Sequence, residues 1–193
     1  KTGTIFPIHL LTEYLTDIRT NQNKFVAQNY VVDLVEKEGG VKWEYSKKVP
    51  LRKYPHDATN KSGCVEIFTL PETNSKNKVE GYRYIIGVDP YDSDYSQTSS
   101  LGSAIVFDLF TDTIVAEFTG RPTFASDFYE IVRKLAILYN AHVNYENKNR
   151  GILGHFKNKG AINYLMPQPE YLTERKILKT TGIGNSSYGT PPT

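Results

Sequence analysis

The chain has 193 residues, 39% hydrophobic and 23% charged, with a formal net charge of +2. That length accommodates one or two domains with a substantial core, and so mild a charge restricts any nucleic-acid contact to local patches. The single cysteine, Cys64, excludes an internal disulfide framework and a cysteine-based zinc site, and it fits a reducing cytoplasm. No apolar run approaches the ~18 residues of a membrane helix, and KTGTIFPIHL lacks the layout of a signal peptide, so no membrane partner is expected.

Along the chain the first element is PIHLLTEYLTDIR, Pro7 to Arg19, where Ile8, Leu11, Leu15 and Ile18 recur at helical spacing behind a first-turn proline. Strands are predicted around Tyr30–Val35, Val41–Tyr45 and Cys64–Phe68, separated by a hairpin-like EKEGG turn and by long polar stretches. Residues 1–78 therefore read as a linker with accessory strands.

From about Val79 the pattern tightens, and residues 79–193 are expected to form the principal domain. Strands are predicted at Tyr82–Val88, Ser103–Phe107 and Thr113–Thr119, the last two joined by an LFTD turn. A helix follows in FASDFYEIVRKLAILYN, with Phe128, Ile131, Val132, Leu135, Leu138 and Tyr139 on one stripe and Ser126 or Thr123 as N-cap. AHVNYE is then a short strand, RGILGHFKNKG a helix stopped by Gly160, and NYLMPQP another short strand. The fourteen tyrosines are expected at strand edges. Three antiparallel strands followed by a helical crossover to a fourth describe an α/β fold with a mixed, ribonuclease H-like sheet and flanking helices.

In that topology the fourth strand lies beside the first, so Asp89, which closes YRYIIGVD, and Glu146, which closes HVNYE, leave the same sheet edge as neighbours. Two carboxylates brought together repel unless a cation lies between them, and hard oxygen ligands suit Mg²⁺ or Mn²⁺. The competing reading is a solvated turn acid or helix cap at each strand end. Asp92 and Asp94, in a Ser/Tyr/Asp/Thr-rich loop, are auxiliary candidates. Asp108 and Asp112 read as turn residues at the far end of the second strand. After Glu146, Lys148, Asn149 and Arg150 open a helix beside a strand-end carboxylate, where a nucleic-acid backbone would find donors and positive charge. His155 lacks any His or Cys at ligand spacing and is not expected to hold zinc.

IIGVDPYDSD, then SLGSAIVFD, then VNYENKNRGILGHF resemble the C-terminal ribonuclease H-like nuclease domain of the large terminase subunit of tailed phages, over about residues 79–193. The resemblance implies a metal-dependent endonuclease that cuts concatemeric double-stranded DNA during genome packaging by two-metal hydrolysis with Mg²⁺ or Mn²⁺. It also implies the portal protein and the small terminase subunit as partners, and the host-cell cytoplasm as the place of action. Asp89 matches the family's first metal acid, and Glu146, within Glu146-Asn147-Lys148-Asn149-Arg150-Gly151, matches the second. The family's third, later aspartate has no match: Glu170 and Glu174 stand in a different context. Its phosphate-binding G-x-x-x-x-G-K-[ST] loop has no counterpart in KTGT either. The chain is thus expected to be a piece of a longer protein, cut short at the end of the nuclease and weak or inactive alone. Two alternatives are a non-cleaving module of the same fold that grips DNA or the portal, and an actin-like ATPase fragment. The second is disfavoured by Pro90-Tyr91, where a phosphate loop needs glycine.

Overall fold

The structure, a computed structural model, describes residues 7–20, 30–51, 60–91, 100–146, 151–168 and 188–190. Helix α1, Ile8–Thr20, begins directly after Pro7, whose carbonyl accepts the first helical bond from the Leu11 N–H. Ile8, Leu11 and Leu15 of its expected apolar stripe lie exposed. Strands β1 (Tyr30–Lys37) and β2 (Gly40–Tyr45) form the hairpin that EKEGG announced, and β3 (Cys64–Ile67) returns antiparallel to β1.

Strands β4 (Tyr84–Asp89), β5 (Gly102–Asp108) and β6 (Thr113–Gly120) are successive antiparallel neighbours. Helix α2 (Ala125–Tyr139) then crosses to β7 (His142–Tyr145), which pairs parallel to β4. The seven strands form one mostly antiparallel sheet in the order β2-β1-β3-β6-β5-β4-β7. The three strands before residue 78 belong to this same sheet, because β3 pairs directly with β6 from Cys64↔Thr119 to Ile67↔Ala116.

Helix α3, Gly151–Asn158, ends as expected before Gly160, whose φ of +64° is the left-handed conformation that glycine adopts freely. The strand expected in NYLMPQP is reduced: a 3-10 turn at Ile162–Tyr164 is followed by single bridges, Leu165 parallel to Val143 and Pro167 antiparallel to Tyr188. Proline at 167 supplies no N–H to lengthen that ladder.

Helix α2 packs on one face of the sheet, and α3 packs against α2. Phe128, Val132, Leu135 and Tyr139 of α2 are wholly buried, as their spacing predicts, and they meet Phe118 of β6 (Phe128, ring centroids 5.8 Å) and Tyr84 of β4 (Tyr139, 5.2 Å). Burying aromatic side chains of this size contributes roughly 1.5–3 kcal/mol each before cavity and entropy terms. Five tyrosines depart from the expected edge positions: Tyr84, Tyr91, Tyr129, Tyr139 and Tyr145 are core residues. Tyr139 donates to the Thr69 carbonyl at 2.8 Å, and the Tyr84 hydroxyl accepts the Glu72 N–H at 3.0 Å.

Two further expectations are corrected. The N-cap of α2 is Phe124, with no side-chain cap bond. Thr123 stands one residue too early and Ser126 lies inside the first turn. Asp108 is a buried residue at the end of β5, 2% exposed, and holds Arg83 through Nη2–Oδ2 at 2.8 Å while accepting the Phe110 N–H at 2.9 Å. Asp112 does occupy the turn, at φ +57°.

Candidate metal-binding site

Asp89 is the last residue of β4, and Glu146 follows β7 immediately. The parallel register runs Ile85↔His142, Ile86↔Val143, Gly87↔Asn144, Val88↔Tyr145. The ladder stops there; the same register carried one position further would set Asp89 beside Glu146, on strands that pair at about 4.8 Å. Alternation along each strand puts Ile86, Val88, Val143 and Tyr145 on the helix-covered face, where they are buried. Asp89 and Glu146 share the opposite face with Gly87 and Asn144, and both acids are exposed. A Cβ added at Gly87 would meet nothing within 4 Å, so the sheet surface leading to Asp89 is open there. Among the described residues neither carboxylate carries an ion pair or a side-chain hydrogen bond.

Such a pair is chemically specific. Two hard, anionic oxygen donors are fixed by separate parallel strands, with no protein cation between them among the described residues. That donor set fits Mg²⁺ or Mn²⁺, ions that take one or two protein carboxylates and complete their shell with water and phosphate. The described residues contain no group of three or more His, Cys, Asp or Glu side chains arranged for a metal. Asp92, Asp94, Lys148, Asn149 and Arg150 lie outside the described residues, as do Glu170 and Glu174. Among the described residues of the sequence-predicted set, Asp89 and Glu146 are the two that stand at the ends of the paired strands β4 and β7.

The helix after Glu146 divides its basic residues. Lys157 and Lys159 are exposed, whereas His155 turns inward and its Nε2 lies 2.9 Å from Glu130 Oε2 on α2. Glu130 also receives Arg133 Nη2 at 2.6 Å. Burial pushes the Glu130 carboxyl up, but the hydrogen bonds from Arg133 and His155 outweigh this and hold it at about 2. This network ties α3 to α2: Glu130 and Arg133 stand at helical i, i+3 spacing, whereas His155 lies 25 residues from Glu130, beyond any spacing rule.

Sequence reading also missed the structure behind Asp89. Pro90 is followed by Tyr91, 8% exposed, whose hydroxyl donates to the Pro122 carbonyl at 2.9 Å and whose own carbonyl accepts the Tyr129 hydroxyl at 2.9 Å. The Arg121 guanidinium lies 4.3 Å from the centre of the Tyr91 ring. The available signal was the position of Arg121-Pro122 directly after β6, at the sheet end that also carries Asp89. Comparison with protein-family models, curated proteins and solved structures gave no match for this chain.

Proposed function

We propose that this chain carries a ribonuclease H-like nuclease domain of the terminase type, which hydrolyses double-stranded DNA with Mg²⁺ or Mn²⁺ held between Asp89 and Glu146. One observation carries the reading: two exposed strand-end acids, 57 residues apart in sequence, become neighbours through the parallel pairing of β4 with β7. The order β6-β5-β4-β7, with α2 as the crossover, supports the ribonuclease H-like assignment.

When bound, the metal would activate water and stabilise the leaving oxygen of the phosphodiester. The protein's own part is positional. Asp89 and Glu146 supply oxygen donors from rigid strands, and bare Gly87 leaves room for a backbone phosphate to approach. In this reading Lys148, Asn149 and Arg150 contact the DNA backbone, and Asp92 or Asp94 assists the metal through water. The partners are the portal protein and the small terminase subunit, in the host cytoplasm.

The test is cleavage of supercoiled plasmid with Mg²⁺ or Mn²⁺, by the chain and by the longest natural product that contains it. Asp89→Ala and Glu146→Ala should each lower the rate on the order of 10³-fold, the equivalent of several kcal/mol of transition-state stabilisation. Cleavage at the wild-type rate by either variant would remove the assignment. A second reading is a non-cleaving module of the same fold that grips DNA or the portal. It predicts salt-sensitive DNA binding that survives loss of both acids.

A further inference from the structure

The position of Asp89 depends on more than β4. Its last ladder partner is Ser103, and the next residue, Pro90, contributes no N–H to continue the pairing. Pro90 does confine the backbone of Asp89 to extended conformations. What fixes the chain beyond that point is Tyr91. Its ring packs on Phe128 of α2 at 5.4 Å, and its hydroxyl and carbonyl are bonded to Pro122 and Tyr129. The ring also lies over Gly102, the first residue of β5, so closely that a Cβ there would come 2.9 Å from it and 2.8 Å from Phe128. Glycine at 102 is therefore required by the seating of Tyr91.

Arg121 closes this seat from outside. It leaves the end of β6, stacks its guanidinium on the Tyr91 ring at 4.3 Å, and donates from Nη1 to the Ser100 carbonyl at 2.7 Å. One planar side chain thereby ties Tyr91, after β4, to Ser100, before β5. Lysine carries the same charge but has no planar face and no fork of donors to make both contacts.

We infer that Tyr91, clamped by Arg121, is the positioning residue that holds Asp89 in register with Glu146 for metal binding. The inference rests on the proposed metal site and adds residues that touch neither metal nor substrate. Mg²⁺ and Mn²⁺ bind oxygen at short, nearly fixed distances, and a binding constellation tolerates displacement of only about 0.5 Å. A strand end released from its anchor exceeds that tolerance without unfolding the sheet.

The experiment is Mn²⁺ titration by calorimetry, with thermal unfolding of the same samples. Wild type, Arg121→Ala, Arg121→Lys, Tyr91→Phe and Asp89→Asn are compared. Loss of supporting residues around a metal site characteristically weakens affinity 10–100-fold. We expect about tenfold weaker Mn²⁺ binding in both Arg121 variants, a smaller loss in Tyr91→Phe, which keeps the ring and loses the Pro122 bond, and unfolding midpoints close to wild type. If Arg121→Lys binds Mn²⁺ like wild type while Arg121→Ala does not, charge and not clamping is responsible, and the inference fails. If both bind like wild type while Asp89→Asn abolishes binding, the clamp is irrelevant and the metal site stands. If wild type binds no Mn²⁺, the metal site itself falls and takes the inference with it.

Discussion

At the start of β4, the Asp108 carboxylate is buried against Arg83, whereas at the end of the same strand Asp89 stands exposed beside Glu146 with no partner among the described residues. Both acids close a strand, and the sequence around them, AIVFD and IIGVD, is nearly interchangeable. Their environments differ because β5 runs opposite to β4. Asp108 is thus delivered to the end where Arg83 and the hairpin turn enclose it, through the Tyr84↔Asp108 pair. Asp89 is delivered to the end where the parallel strand β7 brings a second acid. An acid already satisfied by an arginine and a backbone N–H is committed to structure. Two acids held together without a cation are left with an electrostatic need that a ligand can meet.

The largest expected effect tests the committed end. Asp108→Ala removes one partner of a buried pair and leaves the Arg83 guanidinium, 13% exposed, with only the more exposed Glu72. Removing one partner of such a pair costs more than a surface substitution does, because the other charge is left with less compensation. The urea midpoint should fall accordingly, while Asp89→Asn should stay within about 0.5 kcal/mol of wild type, as surface substitutions do. Equal losses from the two variants would erase the distinction between the two ends.

The second effect is acid sensitivity. Glu130 sits at about 2 in the fold against an ordinary 4.5, and Asp108 is held below its ordinary 3.8 by the Arg83 guanidinium, against the upward push of burial. Both carboxyls therefore take up protons more readily in the unfolded chain. Their stabilisation is fully present at neutral pH and is lost as pH falls below the ordinary carboxylate range, for Glu130 between about 4.5 and about 2. Glu130→Gln should flatten that limb of the stability curve by on the order of 2 kcal/mol. An unchanged acid limb in this variant would mean that the α2–α3 network contributes no linkage.

Much of this frame was legible in the residues. The strand runs, the stripe of α2 and the glycine stop of α3 are local patterns with local causes, and the parallel return of β7 beside β4 follows from three hairpin-paired strands and a helical crossover. What was not legible depends on contacts distant in sequence. Burial of Asp108 requires Arg83 across 25 residues, and the seating of Tyr91 requires Gly102, Arg121 and α2 together. The strand expected in NYLMPQP shrank to single bridges because ladder pairing needs consecutive donors, which Pro167 interrupts. The candidate site was legible as its two acids, and the residues that hold one of them in place were not.

The smallest effect asks whether an acid can be given a structural task at the Asp89 end. Helix α2, which seats Tyr91 through Phe128 and Tyr129, begins at Phe124 without a side-chain cap. Phe124 is 52% exposed and has the extended backbone that an N-cap requires, φ −112° and ψ 140°. Aspartate there would accept an N–H from the first turn and oppose the positive end of the helix dipole, worth about 1 kcal/mol. Phe124→Asp should therefore raise the unfolding midpoint and leave Mn²⁺ affinity unchanged, because an acid committed to a cap has no demand left for a cation. Stronger Mn²⁺ binding in this variant would show that any added carboxylate at this end of the sheet serves the metal. Asp89 and Glu146 would then owe their role to location alone, not to the parallel pairing that sets them side by side.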